Sequence, residues 1–341
     1  MTHVRIAKKT ATGLSLDVDF PVGPGVTGIV GPAGAGKSLL LETMAGFVTP
    51  DSGRFLLEDA ILFDAAARVN APSRRRGIGY IFPSLALFPH MTLERNVAFA
   101  AHDWPRLERH RRVTEMLDRF DLTAAAALRP GEARAAERLH CAVARALIGE
   151  PKLLLIDDAA IDEPLLALIR EKFSNPILMA TADLDLCSAA ADELILLDAG
   201  RMVERGTARS VLDSPESVEA ARLLGIPNLF QATIAALDPA RKSSRLDFGA
   251  FALNGPHIPG HFRGDRVTVA VRPCDLRVHD GKASGENLVA SLLRRVSERV
   301  RYVRIEFDGG IFAEIGRDEY ARLKDNQEWK IEFPPESLRV L

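Results

Sequence analysis

The feature that most restricts how this chain can fold is a short glycine-rich loop near its start. Residues 31–38 read Gly-Pro-Ala-Gly-Ala-Gly-Lys-Ser, which matches the phosphate-loop pattern GxxxxGK(S/T) at every fixed position. A β-rich apolar run, 26–30, comes before the loop, and the start of an amphipathic helix, 39–45, follows it. This order of strand, loop and helix is typical of a site that binds a nucleoside triphosphate.

Each residue type in the loop suits a different part of such a ligand. Glycines have no Cβ, so the backbone N–H groups can turn toward phosphates at a helix N-terminus. Lys37 supplies a charge for the β and γ phosphates, and Ser38 offers its hydroxyl to Mg2+. A glycine turn with a solvated lysine is the alternative, and the complete match disfavours it. The predicted nucleotide-binding residues are Gly31, Pro32, Ala33, Gly34, Ala35, Gly36, Lys37, Ser38 and Leu39.

Length and charge limit the class of protein. A chain of 341 residues exceeds one average domain, so we expect two domains of unequal size. A net charge of -2 and a pI near 6.5 give no general positive field, which argues against nucleic acid as the main partner. We interpret the short run Arg74, Arg75 and Arg76 as a solvated loop.

The cysteines and the lengths of the apolar runs indicate in which cellular compartment the chain works. Cys141, Cys187 and Cys274 are odd in number and far apart, which predicts core residues in a reducing environment. No apolar stretch approaches the ~20 residues that span a bilayer, and the start of the chain does not read as a signal peptide. We therefore expect a soluble, cytoplasmic chain.

The pattern of elements changes once along the chain. Up to about residue 228 strands and helices alternate, which predicts an α/β domain with a mainly parallel sheet. A break at 225–228 is followed by short β segments. We predict a first domain over 1–228 and a small all-β domain over 229–341. The main expected strands are 54–64, 77–82, 152–157, 176–181, 193–197, 244–253 and 287–296, and the main expected helices are 105–120, 133–149 and 184–191.

Four further segments follow the loop in an order that resembles the ATP-binding subunit of ABC importers. They are 76–82, 87–97, 153–157 and 198–207. The resemblance runs to about residue 228. The tail, through 271–278 and 333–340, looks like the TOBE-type β domain of molybdate, sulfate and sugar importers. The resemblance implies a P-loop NTPase fold with a helical signature subdomain at about 84–150, and a TOBE or OB-like C-terminal domain.

The resemblance also implies cofactors and partners. It implies ATP with Mg2+, the metal being held by Ser38 and by Asp157 at the end of a strand. Two such subunits, identical or different, would close head to tail and drive transmembrane permease subunits from the inner face of the cell membrane. The segment from Leu87 to Thr92 would dock the permease. An ordinary loop that packs Phe88 against the core is the alternative for that segment.

The chain departs from the family where hydrolysis is concerned. Pro83 stands where the family has a glutamine that orients water, and Ala182 stands where it has a histidine that contacts the γ-phosphate. The presumed general base, glutamate in the family, is Asp158. It stays a weak catalytic candidate, because about an ångström of misplacement can cost on the order of a hundredfold.

The signature segment, LSGGQ in the family, has also lost its serine and both glycines. Its residues here are Ala133, Arg134, Ala135, Ala136 and Glu137. Arg134 either replaces a lost phosphate contact or is a solvated helix residue. Since contacts of this kind are each worth roughly a hundredfold in turnover, we expect very slow hydrolysis.

Two functions remain from the sequence. The favoured one is the ATP-binding subunit of an importer of a small solute, an oxyanion such as molybdate or sulfate, or a sugar, with weak ATPase turnover. The alternative is a nucleotide-binding regulatory or structural subunit with little or no ATPase activity. In the tail, Ser284 and Asn287 resemble the start of an oxyanion-binding repeat, and a turn in which Asn287 satisfies backbone groups is equally consistent.

Overall fold

The computed structural model describes residues 2–102, 104–326 and 328–341. The chain forms two compact units, one ending at Asp213 and one beginning at Ser214. The sequence prediction put the boundary after residue 228, so the structure adds a short helix to the start of the second unit. None of the helices in the described part of the chain has the length and apolar character needed to cross a bilayer.

The first unit is built on one large sheet. In the described residues its strands are β1 (Thr2–Lys9), β2 (Ser15–Val22), β3 (Val26–Val30), β4 (Ser52–Leu57), β5 (Ala60–Asp64), β6 (Val69–Asn70), β7 (Ile78–Ile81), β8 (Leu153–Asp157), β9 (Ile177–Thr181), β10 (Glu193–Asp198) and β11 (Arg201–Thr207). Their order is β6-β5-β4-β1-β2-β11-β10-β3-β9-β8-β7. The α/β prediction is confirmed, and the sheet is mixed: β10, β3, β9, β8 and β7 are parallel, while β1, β2, β4, β5 and β6 pair antiparallel.

The strands that lead into the phosphate loop and into Asp157 are short apolar runs covered on both faces. Every residue of β3, β8 and β9 is buried, as expected for strands between helical layers. The expected strand 54–64 is instead a hairpin of β4 and β5, since Glu58 takes a left-handed φ of 55° and reverses the chain.

The helices of the first unit are α1 (Lys37–Ala45), α2 (Leu93–Phe99), α3 (Arg106–Arg119), α4 (Ala135–Leu147), α5 (Glu163–Lys172), α6 (Leu184–Ala190) and α7 (Ala208–Asp213). Helix α1 buries Leu40, Leu41 and Met44 in a core shared with β1, β2 and β8. Helices α2, α3 and α4 pack on one another within the segment expected to form the helical subdomain.

The prediction that residues 74–76 form a solvated loop is wrong for one of the three arginines. Arg74 and Arg75 are exposed, but Arg76 is only 2% exposed. Its guanidinium donates to the carbonyl oxygens of Thr43 and Met44 at the end of α1, at 2.9 and 2.7 Å. The sequence did not mark this residue as buried, because it lies in a run of like charges and two of its four hydrogen-bond partners are more than thirty positions away.

The cysteine prediction is correct for two residues. Cys141 and Cys187 are buried, and burial raises the pKa of each thiol to about 12, so both stay protonated. Cys274, in contrast, is exposed.

The second unit consists mainly of β strands. They are β12 (Asn228–Asp238), β13 (Ser243–Asp247), β14 (Ala252–Pro256), β15 (Arg266–Val271), β16 (Arg277–Asp280), β17 (Leu288–Ser291), β18 (Leu293–Glu298), β19 (Val303–Phe307), β20 (Ile311–Ile315), β21 (Trp329–Glu332) and β22 (Arg339–Val340). Two short helices, α8 (Val218–Leu223) and α9 (Arg317–Leu323), accompany them. The described strands form sheets ordered β14-β13-β12-β15-β22, β16-β21-β17 and β18-β19-β20. The expected strands 244–253 and 287–296 are each divided into two.

Asn287 has a structural role in this unit. It is 9% exposed with a left-handed φ of 57°. Its side-chain oxygen accepts from the N–H of Asn254 at 2.7 Å, and its amide donates to the carbonyls of Asn254 and Phe333 at 2.7 and 2.8 Å. The amide is therefore engaged by backbone, which favours the structural interpretation over an oxyanion contact.

Candidate functional site

The phosphate loop joins β3 to α1, and backbone geometry requires its glycines. Gly34 and Gly36 have left-handed φ angles of 81° and 103°, which residues with a side chain rarely adopt. At Gly31 a Cβ would lie 2.0 Å from the carbonyl oxygen of Leu197 in β10. The loop can keep this shape only with glycine at these three positions.

Lys37 bends back over the loop. Its Nζ donates to the carbonyl oxygens of Gly31 at 2.6 Å and Pro32 at 3.1 Å. The loop is also tied to the turn after β10, because the N–H of Gly200 donates to the carbonyl of Ala35 at 2.8 Å. A positive charge is thus held against a loop of fixed shape.

The other predicted loop residues divide between surface and core. Ala35 is 2% exposed, and Leu39 packs its side chain against the core around α1. The side chains of these two residues anchor the loop to the core. The loop residues at the surface are Pro32, Ala33, Gly34 and Ser38.

The structure brings the two predicted metal residues together. Asp157 ends β8 and is 3% exposed. The hydroxyl of Ser38 donates to its Oδ1 at 2.8 Å, although the two residues are 119 positions apart. Hydroxyl and carboxylate oxygens are the ligands that Mg2+ prefers, usually with several waters retained.

A second acidic residue lies on the helix that carries Ser38. Glu42 lies one helical turn after Ser38 on α1. Partial burial and, secondarily, the negative charge of Asp157 raise the pKa of Glu42. Two acidic groups thus act on each other beside Ser38, and the donor set fits Mg2+.

Sequence reasoning missed Tyr80. Its hydroxyl donates to Oδ2 of Asp157 at 2.9 Å. Burial, followed by the hydrogen bond to Asp157, raises the pKa of the phenol well above its usual range, so it stays protonated and donates. The sequence carried no local signal for this role, because Tyr80 reaches Asp157 only through the pairing of β7 with β8.

Asp158, the predicted general base, and the two positions that depart from the family, 83 and 182, do not form a comparable cluster. Asp158 is exposed with a left-handed φ of 44°, and its N–H donates to the carbonyl of Ala180 at 2.9 Å. Ala182 and Pro83 are exposed, and neither side chain has a hydrogen-bonding atom. The general-base role of Asp158 stays a prediction.

The signature segment forms the start of α4. Arg134 occupies the N-cap, and its N–H donates to the carboxylate of Glu137 at 2.7 Å. Its guanidinium donates to the same carboxylate at 2.9 Å, and the Arg134 side chain is 86% exposed. The backbone hydrogen bond, and then the guanidinium, lower the pKa of Glu137. Within this chain Arg134 forms an ion pair with Glu137 at the N-terminus of α4.

Arg145, near the end of α4, fixes the loop that follows Pro83. Leu85 and Ala86 have left-handed φ angles of 61° and 45°. Their carbonyl oxygens each accept from the guanidinium of Arg145 at 2.8 Å. Sequence reasoning missed this arginine, whose partners lie about sixty positions earlier.

Asn96 holds the predicted docking segment from Leu87 to Thr92 in place. It is fully buried on α2. Its side chain accepts from the N–H of Phe88 at 2.7 Å and donates to the carbonyls of Phe88 and Thr92 at 3.2 and 3.0 Å. The segment is therefore ordered by hydrogen bonds, while Pro89 and His90 stay exposed.

An open groove lies beside this segment. Its volume is about 580 Å³, and its lining combines five aromatic residues with small apolar residues and the polar side chains of Ser73, Arg74, His102 and Arg145. Phe88 packs edge-on against Phe99 with ring centroids 4.7 Å apart, and Phe99 is 53% exposed. The aromatic residues of the groove are Phe47, Tyr80, Phe82, Phe88 and Phe99.

The ABC transporter family model matches residues 16–161. The molybdate/tungstate import ATP-binding protein WtpC of Archaeoglobus fulgidus is 35% identical over 68% of this chain and 98% of its own. The spermidine/putrescine import ATP-binding protein PotA of Vibrio cholerae is 32% identical over 82% of this chain and 74% of its own. The solved structure of cbiO1 from Clostridium perfringens matches 65% of this chain and 94% of its own, with a TM-score of 0.54 at 24% identity, which shows a shared fold.

The relatives agree with the resemblance read from the sequence. Both curated relatives are import ATP-binding proteins, which supports the importer subunit and not the regulatory alternative. The site of this chain has a glycine-dependent phosphate loop with Lys37 folded over it, and a hydrogen bond from Ser38 to Asp157. The chain belongs to the family of ATP-binding subunits of ABC importers.

Proposed function

We propose that this subunit binds ATP with Mg2+ through residues 31–39 and couples that binding to import of a small solute. The hydrogen bond from Ser38 to Asp157 supports this best, because it joins the loop to the end of β8. Ser38 and Asp157 would hold the metal, which would neutralise charge on the phosphates. Lys37 provides the ammonium group for the β and γ phosphates.

The rate of ATP hydrolysis by this subunit is expected to be low. The exposed positions 83 and 182 carry no polar side-chain atom, and Asp158 is one methylene shorter than the family's glutamate. Import ATP-binding subunits dimerise, and in a head-to-tail pair each composite site would contain a defect from this chain. One site would use Pro83 and Ala182, and the other would use Arg134 and Glu137. We therefore propose a subunit that responds to ATP binding and hydrolyses it slowly.

Turnover of Mg-ATP by the purified chain tests this directly, beside equilibrium ATP binding and a Lys37→Ala control. We expect Lys37-dependent binding with turnover well below about 0.1 per second, which is some two decades under ordinary enzyme rates. Faster turnover that the control abolishes would show that other residues catalyse hydrolysis. Absence of ATP binding would contradict the proposed function altogether.

The proposed cargo is a small oxyanion of the molybdate type. This rests on the 35% identical relative that is named a molybdate/tungstate import ATP-binding protein. A polyamine is the second candidate, because a relative of almost equal identity imports spermidine and putrescine. Uptake of labelled molybdate and labelled putrescine by cells with and without this chain separates the two. Loss of putrescine uptake alone would overturn the oxyanion assignment.

The permease is proposed to bind the aromatic groove and the segment from Leu87 to Thr92, at the inner face of the membrane. Import ATP-binding subunits act with transmembrane permeases. The groove suits an amphipathic helix, because it is open and its lining combines aromatic residues with the cationic side chains of Arg74 and Arg145.

Replacing Phe88 with aspartate is expected to release the subunit from membranes. The substitution would remove the Phe88 ring, which packs edge-on against Phe99, and loss of a central aromatic contact typically costs more than tenfold in affinity. The measurement is the fraction of subunit that sediments with permease-containing membranes. Phe262→Asp is the matched control, since Phe262 is 74% exposed in the second unit. Equal release by both variants would contradict the assignment.

A further inference from the structure

Tyr80 contributes a hydroxyl group to the predicted metal site, and the family resemblance gives it no role there. Its hydroxyl donates to Oδ2 of Asp157 at 2.9 Å, while the hydroxyl of Ser38 donates to Oδ1 at 2.8 Å. Each oxygen of the carboxylate thus has its own donor. Rotation of the carboxylate would break both hydrogen bonds, so the two donors together fix its plane.

Aromatic contacts hold the phenol in this position. The ring of Tyr80 lies 4.4 Å from the ring of Phe82 and 5.3 Å, edge-on, from the ring of Phe47, measured between centroids. Phe47 and Phe82 are themselves stacked at 5.5 Å. Two neighbours from different elements therefore restrict the ring, and the hydroxyl is presented to Asp157 with little rotational freedom.

The Tyr80 hydroxyl matters for the Asp157 carboxylate because Pro83 stands where the family has a glutamine. Proline has no side-chain donor or acceptor, so position 83 cannot supply the polar group that the family has there. Tyr80 lies three residues earlier on β7, and it is the residue of that strand whose side chain reaches Asp157 in the described hydrogen bonds. The strand β7 therefore still provides one polar group to the Asp157 carboxylate, the hydroxyl of Tyr80.

We infer that Tyr80 is a positioning residue that fixes the Asp157 carboxylate for Mg2+ bound with ATP, in place of a polar side chain at position 83. This rests on the proposed binding of ATP and Mg2+. The role is indirect: Tyr80 acts through Asp157, as the hydrogen-bond partners of metal ligands commonly do.

Tyr80→Phe tests the inference, because it removes the hydroxyl and keeps the ring in contact with Phe47 and Phe82. ATP affinity is measured by calorimetry in excess Mg2+ and again in EDTA. We expect affinity in EDTA to stay within about twofold of the wild type, while the advantage given by Mg2+ falls roughly tenfold. A titration of Mn2+ into the ATP complex, followed by electron paramagnetic resonance, should show the same weakening.

Tyr302→Phe is the matched control, since it removes a phenol hydroxyl in the second unit. It should leave both affinities unchanged. If Tyr80→Phe keeps the full Mg2+ advantage, or lowers affinity equally in Mg2+ and EDTA, the inference is overturned while ATP binding stands. If the wild type binds no ATP in either condition, the proposed function and the inference fall together.

Discussion

Replacing Lys37 with alanine is expected to weaken ATP binding by at least about a hundredfold, because two charge-assisted contacts to phosphate are lost together. Lys37 Nζ is held by the carbonyls of Gly31 and Pro32, so its charge stands against the loop before any ligand enters. Calorimetry or a fluorescent ATP analogue in excess Mg2+ provides the measurement.

Lys282→Ala serves as the control for charge, since Lys282 is exposed in the second unit. It should bind ATP as the wild type does. A Lys37→Ala protein that keeps its affinity within about threefold, a difference of well under 1 kcal/mol, would show that residues 31–38 are not the phosphate site.

Replacing Arg76 with methionine is expected to destabilise the first unit by about 3–5 kcal/mol, because buried acceptors lose a charged donor. The guanidinium of Arg76 donates to Thr43, Met44 and Ala71 carbonyls and to the side-chain oxygen of Asn70. Burial lowers the pKa of Arg76. Its positive charge faces the C-terminal carbonyls of α1, where the helix dipole favours a cation.

Urea unfolding measures the effect, with Arg75→Met as the control. Arg75 is exposed beside Arg76, and its loss should change the free energy of unfolding by no more than about 0.5 kcal/mol. Similar effects for the two variants, both below about 1 kcal/mol, would contradict the structural role of Arg76. Helix α1 also carries Lys37 and Ser38, so ATP affinity should fall with stability in the Arg76 variant.

The sequence was sufficient where a local pattern carries the information. The glycine positions of the loop and the apolar runs of β3, β8 and β9 were predicted, because a motif or an uninterrupted buried strand leaves a signature of a few residues. It failed where hydrogen bonds join distant segments. Tyr80 meets Asp157 across 77 positions, and nothing local marks that tyrosine as different from a core residue.

Polar residues at special backbone positions were missed for the same reason. Arg145 is separated by 59 and 60 positions from the carbonyls it binds. The exposed neighbours of Arg76 made that residue look solvated as well. In each case the tertiary fold, and not the residue's own neighbourhood, determines the partner.

Helix α4 has a mechanical consequence of its own. Its first turn contains part of the altered signature segment. Near its last turn, Arg145 binds the carbonyl oxygens of Leu85 and Ala86, two residues with left-handed φ angles. Thirteen residues make a rod of about 20 Å. A tilt of the first turn would therefore move the backbone of Leu85 and Ala86, which Arg145 binds at the other end of the helix. Such a movement needs no bond cleavage, which is consistent with the proposed response to ATP binding without fast hydrolysis.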